Sequence, residues 1–394
     1  MKNFKKNRET ITWLAGEGDF FIYRRNRLSQ RLFVFLKHTL NSLAYFLFGR
    51  DRSVDSKYIF LVKGQNQLRL HLHAQHNFPN RTESTLFRVP VLFGRQRMNG
   101  AVPWMKIDAK SLFLQLWFLS NYLMTGKKRG LNLYFMSYQA AMEASIKRCL
   151  KNLETFVCYN DQNYEASSII LALKRLTLAK TIVFQHGLIL NPKFYFPTNA
   201  DEFWAWGDGS KNHFYARNGG SRLTIGGRFL DDKKNKAPAP YLVGKRGQPA
   251  ILIVPSPHHT EILELINAVL RETGTLTSNF KLGIKLHPAT KFKALVVIFC
   301  KIKGLAVESV DSDISNSASY FDAMVTRNST SAVDFLLRGK CVFVDDYTCA
   351  LDFPSPGYTF PLYDLKRFLS GDCDLIDSNH LDERLKFLKN TINV

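Results

Sequence analysis

The sequence predicts an α/β protein of two domains, each built on a parallel sheet, with the two sheets facing a central cleft. Three observations lead there. Short apolar runs rich in β-branched and aromatic residues alternate with amphipathic stretches of helical length, the pattern of βαβ units. A chain of 394 residues exceeds one ordinary domain. The stretch "DDKKNKAPAPYLVGKRGQP" (231–249) is rich in Lys, Pro and Gly and lacks periodicity, so it reads as a break between two βα series. The boundaries are set at 1–235 for the first domain, 236–249 for the linker and 250–394 for the second.

The elements follow in order. "RLFVFLKHTLNSLAYFLF" (31–48) is helical in pattern, but Lys37, His38 and Asn41 interrupt it. It falls short of the roughly 20 apolar residues of a membrane span. Two readings stay open: an internal helix of the first domain, or an interfacial helix burying Phe33, Phe35, Leu36, Leu40, Phe46 and Leu47 among anionic headgroups. Strand-like "KYIFLVKG" and "LFRVPVLFG" precede the helical "AKSLFLQLWFLSNYLMTG" and "MSYQAAMEASIKRCLKNL". Then "TFVCYN", "YEASSIILALKRLTLAK" and "TIVFQHG" form a strand–helix–strand unit of roughly thirty residues, the length of a βαβ crossover. "EFWAWGDGSKNHFYARNGG" and "RLTIGGRFLDD" close the first series. The second runs through strands at "AILIVPSP", "FKLGIKLHP", "LAVES", "AMVTRN" and "CVFVDD", separated by the helices "HTEILELINAVLRETG", "TKFKALVVIFCKIKG", "SNSASYFD" and "STSAVDFLLRGK".

A formal net charge of +21 implies an anionic partner: nucleic acid, anionic lipid or a phosphorylated substrate. No zinc-finger, RNA-recognition or helix-turn-helix pattern accompanies the charge, so nucleic acid is set aside. The six cysteines lack any Cys-x-x-Cys pair and fit a reducing compartment. The basic start has no apolar core with a cleavage site, so no signal peptide is read and a cytoplasmic location is expected. No metal and no cofactor are expected. Asp311 and Asp313 form a DxD at a late strand end, where solvated carboxylates are common, and His71, His73 and His76 read as a polar strand face.

Three strand tips end in the same style. Gln185-His186-Gly187 places an imidazole beside a glycine at the C-terminal end of an apolar strand, where open α/β sheets bind ligands. At the second, Lys285 and His287, at i and i+2, would share a strand face, and Pro288 stiffens the turn after them. The third, Arg327-Asn328-Ser329-Thr330-Ser331, directly precedes a helix. Its hydroxyls, free amides and helix end would suit a phosphate, although an ordinary helix cap explains the same residues. Ser256, His258 and His259 at another strand tip, and Arg228 after Gly226-Gly227, are further candidate donor contacts.

The order strand-QHG, linker, strand-KLHP, strand-NST-helix-GK-strand resembles bacterial GT-B transferases of surface-polysaccharide synthesis over roughly residues 155–347. The likeness is to the CMP-sugar-using Kdo and sialic-acid transferases of capsule and lipopolysaccharide synthesis, and to the teichoic-acid glycerophosphotransferases. It implies a GT-B-type fold of two Rossmann-like domains, with the nucleotide donor on the second and the acceptor on the first. It implies that His287, Ser329, Thr330 and Ser331 hold the donor phosphate, that Asp334 fills an acidic position of the glycerophosphotransferase pattern, and that His186 is catalytic. The sialyltransferases use an acidic base instead, and Asp161 at the end of "TFVCYND" stands in for it. Together these give the expectation of a metal-independent glycosyltransferase that moves a sugar from a CMP-sugar to a lipid-linked or oligosaccharide acceptor at the inner face of the cytoplasmic membrane. The alternatives are a CDP-glycerol-type glycerophosphotransferase, a non-catalytic assembly factor, and a nucleotide-sugar epimerase on the same scaffold.

Overall fold

The computed structural model describes residues 28–49, 53–63, 67–68, 71–72, 84–88, 102–103, 106–161, 164–185, 187, 196–215, 221–226, 248–255, 259–274, 280–287, 290, 293–307, 314–327, 329–345, 358–371 and 378–392. The chain divides into two compact units. The first runs to Asp231 apart from 187–191 and 207–209, and the second holds those stretches and residues from Asp232 onward.

The first unit is a seven-stranded, wholly parallel sheet with a layer of long helices. Its elements are α1 (Leu28–Phe48), β1 (Val54–Asp55), β2 (Tyr58–Val62), β3 (Ser84–Arg88), β4 (Val102–Pro103), α2 (Ala109–Thr125), α3 (Lys128–Cys149), β5 (Leu150–Lys151), β6 (Thr155–Cys158), α4 (Tyr164–Leu176), β7 (Lys180–Phe184), β8 (Glu202–Ala205), α5 (Ser210–Tyr215) and β9 (Arg222–Ile225). The strand order is β4-β3-β2-β6-β7-β8-β9, with β1 and β5 forming a separate parallel pair. The central strands carry apolar residues at consecutive positions: Ile59, Phe60, Leu61 and Val62 are all buried, as strands covered on both faces require.

The 31–48 segment settles as a helix of this unit. Val34, His38, Ser42 and Tyr45 recur at i, i+4, i+8 and i+11 and are buried against the other helices. Two of its polar side chains reach other helices: the Ser42 hydroxyl donates to Gln115 Oε1 at 2.7 Å, and Asn41 Nδ2 donates to the Tyr164 hydroxyl at 2.8 Å. The His38 ring lies 5.1–5.5 Å from Tyr134, Phe135 and Tyr164. Among the described residues, no helix is long and apolar enough to cross a membrane. Helix α2 starts with Asp108 accepting from the Ser111 amide at 2.7 Å and stops at Gly126, whose φ of 65° ends the helix at low cost. Gly130 then lets α3 start against α2, where a Cβ would sit 2.8 Å from the Tyr122 amide nitrogen.

The second unit is a six-stranded parallel sheet. Its elements are β10 (Ala250–Val254), α6 (His259–Thr273), β11 (Lys281–Ile284), α7 (Lys293–Ile302), β12 (Ala306–Val307), α8 (Ile314–Tyr320), β13 (Ala323–Thr326), α9 (Ala332–Leu337), β14 (Cys341–Val344), β15 (Phe360–Pro361), a 3-10 turn at Leu362–Asp364, α10 (Leu365–Leu369) and α11 (Ser378–Ile392). The order is β12-β11-β10-β13-β14-β15. Ile262, Leu265, Ile266 and Val269 of α6 pack on Ile251, Ile253, Ile284 and Val325. Asp322 organises the strand starts: its Oδ2 accepts from the Ala250 amide at 2.9 Å and its Oδ1 lies 3.6 Å from the buried Lys340 ammonium. Gly283 is required by packing, since a Cβ there would fall 2.7 Å from Phe321 Cζ.

The strand boundaries are shorter than the apolar runs, most clearly in "FKLGIKLHP", where pairing stops at Ile284 and the motif residues lie beyond it. The linker assigned to 236–249 lies outside the described residues except for Gln248 and Pro249. His73 and His76 lie outside them too, and His71 is a core histidine. It is 4% exposed, with its ring 4.5 Å from that of Phe60. Among the described residues no group of three or more His, Cys, Asp or Glu comes together.

Burial pushes the His71 pKa down to about 4. The unfolded chain therefore binds the extra proton between about pH 6.5 and 4, so the His71 contribution to stability is full above pH 6.5 and is lost as pH falls. In denaturant titrations at pH 7 and pH 5, the wild type should lose about 2 kcal/mol more than a His71→Leu variant. Equal losses would contradict a ring buried in its neutral form.

Candidate functional site

Strand order fixes where a ligand site can form. In the second unit the chain lays down β10, moves outward to β11 and β12, then returns to place β13, β14 and β15 on the other side of β10. The helices that follow β10 and β13 leave in opposite directions, which opens a crevice above the carboxyl ends of those two strands. Register is exact across the centre: Ile253 pairs with Ile284, Val254 with Thr326, and Thr326 with Val344. Pro255, Lys285, Arg327 and Asp345 are thus the first residues past four adjacent strand ends. The "PSPHH", "KLHP" and "RNSTS" motifs extend from three neighbouring tips, with β10 in the middle.

At the β11 tip the Lys285 amide continues the ladder, donating to the Ile253 carbonyl at 2.9 Å. The two cationic candidates differ in setting: Lys285 is buried, whereas His287 is exposed. Desolvation by its neighbours, and secondarily the Lys293 charge, lower the His287 pKa, which leaves the ring neutral at physiological pH. The His287 carbonyl accepts from the Thr290 amide at 2.9 Å, closing a turn, and Thr290 Oγ1 is buried with no hydrogen-bond partner among the described residues.

The β13 tip departs from the sequence expectation. Four amides here are spent: the Ser331 amide donates to Ser329 Oγ, Ala332 to the Ser329 carbonyl, Val333 to that of Thr330, and Asp334 to that of Ser331, all at 3.0–3.2 Å. Helix α9 is six residues long and begins with these i to i+3 bonds, so little of its N-terminus is left for a ligand. What remains is the set of half-buried hydroxyl side chains at 329, 330 and 331. Asp334 is buried in α9.

Sequence reasoning treated Arg327 only as a flank, yet it holds the tip together. Its guanidinium meets Asp345 at 2.6 and 3.2 Å and Glu264 at 3.3 Å, tying β13 to the β14 tip and to α6. The hydrogen bonds Arg327 donates to Asp345 raise its pKa further, so it is a permanent cation already neutralised by carboxylates.

The first unit has a matching reversal between β2 and β6. Its charged feature is the pair of Lys63, at the β2 tip, with Glu165, in the first turn of α4, at 3.2 Å. The sequence signals were a lysine ending an apolar strand and an acid in a helix's first turn. Asp161, named as a candidate base, is 1% exposed and accepts from the Thr198 hydroxyl and the Asn199 amide, both at 2.6 Å. Its backbone carbonyl takes the Ser167 hydroxyl. The carboxylate holds the 198–199 segment. Gln185 also ties loops: its side-chain oxygen accepts from the Trp206 amide at 2.8 Å and Ser210 Oγ at 3.1 Å, and its carbonyl from the Trp206 indole at 2.7 Å. Gly187, beside it, is buried. His186, Arg228, Ser256, His258, Pro288, Asn328, Asp311 and Asp313 lie outside the described residues. His259 is the first residue of α6.

No protein-family model and no curated protein sequence matches the chain. Solved structures do. A Listeria monocytogenes protein, described as a candidate UDP-N-acetylglucosamine 2-epimerase, superposes with a TM-score of 0.54 at 14% identity, covering 86% of this chain and 93% of that one. Staphylococcus aureus MnaA bound to UDP gives 0.49 at 13%, covering 85% and 91%. The glycotransferase of kitacinnamycin gives 0.47 at 12%, covering 86% and 95%. At these identities the likeness is one of fold. The chain has a GT-B-type α/β fold of two Rossmann-like units with parallel sheets.

Replacing Asp161 with Ala should destabilise the protein by about 1.5–3 kcal/mol in urea titration, since hydrogen bonds to a charged group are lost. Turnover per folded molecule should stay within a fewfold of wild type. A fall of about 10²-fold or more with stability unchanged would return Asp161 to the role of base.

Proposed function

We propose that the chain is a nucleotide-sugar enzyme of the glycosyltransferase type, with the donor seated at the β10/β13 reversal of the second unit. The observation that carries this reading is that Pro255, Lys285 and Arg327, which open the "PSPHH", "KLHP" and "RNSTS" stretches, follow three adjacent parallel strand ends at the reversal of strand order. Lys285 supplies positive charge toward the departing phosphate. The neutral His287 ring acts as a hydrogen-bond partner rather than a second cation, and the 329–331 hydroxyls orient phosphate oxygens. His186 is the proposed base for the acceptor hydroxyl. Loss of one such phosphate donor typically costs about 10²–10³ in turnover.

The donor base is drawn toward uridine. The resemblance in the motifs favours a CMP-sugar, but the Listeria protein of similar fold is described as acting on a UDP-sugar. We therefore place UDP-sugars ahead of CMP-sugars, with a surface or secreted glycan as acceptor. Lipopolysaccharide and capsule remain the proposed settings on the motif resemblance alone. A second reading, a UDP-sugar 2-epimerase, is favoured by the extent of that same likeness, which spans 86% of this chain and 93% of the Listeria protein. The two differ in product: an epimerase converts the nucleotide sugar with no acceptor, whereas a transferase releases the nucleotide only as a glycosidic bond forms. A CDP-glycerol-using transferase and a non-catalytic assembly factor are the remaining readings.

Thermal denaturation of the full chain with UDP, CDP, CMP and GDP separates them. UDP should stabilise the wild type, and His287→Ala should weaken its binding by about 10- to 100-fold, the value of one hydrogen bond to a charged group. Stabilisation by cytidine nucleotides alone would restore the CMP or CDP-glycerol reading. Indifference to all four would support the assembly factor and overturn the proposal.

A further inference from the structure

Among the described residues of the first unit, exposed large apolar side chains gather on α1 and α2. The two helices run antiparallel: the Arg31 guanidinium donates to the Leu123 carbonyl at 3.1 Å near one end, Ser42 bonds Gln115 further along, and Lys106 lies 5.8 Å from the Phe46 ring at the other end. Their inner faces form the packed core described above. On the outer face of α1, Leu28, Leu32 and Leu36 recur at i, i+4 and i+8 with Phe33 beside them, all exposed. On α2, Phe113, Trp117 and Met124 are 65%, 62% and 80% exposed. The outward face of a surface helix is ordinarily polar, and exposed apolar rows on two neighbouring helices mark an interaction site. Of the apolar residues that the sequence pattern of α1 had offered to a membrane, Phe35, Leu40 and Phe46 are instead half-buried.

Charge identifies the partner. Neither helix contains an Asp or Glu, and together they carry Arg31, Lys37 and Lys110. Exposed Lys106, Lys127 and Arg129 flank α2 at its two ends. In the sequence, Arg24, Arg25 and Arg27 immediately precede α1. A second copy of the chain is disfavoured, because a two-fold contact sets a face against itself and would bring cation to cation. An anionic bilayer supplies what the face lacks: acyl chains for the leucine and aromatic row, and negative headgroups for its basic border.

We propose that the α1/α2 face docks the protein on an anionic lipid surface, both helices lying in the plane of the interface with Phe113, Trp117 and Leu32 dipping below the headgroups. The face belongs to the first unit and stands independently of the donor reading, although a lipid-linked acceptor would be brought to the enzyme by the same contact.

Co-sedimentation of the full chain with vesicles tests this. Wild type should bind vesicles of phosphatidylcholine mixed with phosphatidylglycerol, bind pure phosphatidylcholine far less, and lose binding as salt rises. The Trp117 fluorescence should shift to the blue on binding. Phe113→Ser with Trp117→Ser, and separately Lys110→Glu with Arg129→Glu, should each weaken partitioning by roughly tenfold or more. Leu178→Ser, a substitution at an isolated exposed leucine, should leave it unchanged. These positions are solvent-exposed, so melting curves of the variants should match wild type. Unaltered binding by the apolar pair, or equal binding to neutral vesicles, would overturn the proposal. So would a wild-type dimer in light scattering that the Trp117→Ser pair dissociates, which would assign the face to a second copy. Nucleotide-induced stabilisation should persist in every variant, so its absence in wild type would count against the donor reading alone.

Discussion

Parallel strand pairing around β10 is the constraint on which the rest depends. A parallel sheet needs a crossover after each strand, and those crossovers are right-handed. A chain that starts in the middle must therefore go out to one side and come back to the other. The order β12-β11-β10-β13-β14-β15 is that path, and a crevice at its turning point is a geometric consequence rather than a separate feature. The first unit obeys the same rule at β2 and β6. What distinguishes the second unit is the chemistry its sequence places on the tips: Lys285, His287 and the 329–331 hydroxyls all sit one to five residues beyond a strand end.

Electrostatics inside that crevice are more economical than the composition implies. With a net charge of +21, abundant cations at the site would be the simple expectation. Arg327 is instead held by Asp345 and Glu264, where it fixes the spacing of the β13 and β14 tips. His287 is kept neutral, and the amides at the start of α9 are consumed by its own tight first turn. Lys285 is buried at the β11 tip, and the Lys293 charge is felt at His287. Part of the positive charge of the chain borders the apolar α1/α2 face.

The fold was legible because it rests on short-range signals. Buried parallel strands appear as runs such as "YIFLV" and "AILIV", and the helices between them show apolar residues at i, i+3 and i+4. Strand β15, two residues long and ending in Pro361, and helix α11 lay beyond the last alternating segments and were not read. The candidate site was legible as a set of motifs but not as a set of roles. Asp161 looks like an exposed acid at a strand end, and only its contacts with Thr198 and Asn199, 37 and 38 residues away, show that it is a tether. Ser329 to Ser331 look like a phosphate cradle, and only the backbone path shows the amides of 331–334 bonded within the turn. Long-range hydrogen bonds leave no periodic mark in a sequence, which is why both readings needed the fold.

Hydrogen–deuterium exchange of the full chain, with and without saturating UDP, tests the placement of the nucleotide most directly. Protection should concentrate in 285–290 and 327–334, at the β11 and β13 tips, and at the start of α6. Protection confined to the β2 and β6 tips of the first unit, or none anywhere, would contradict a donor seated at the β10/β13 reversal.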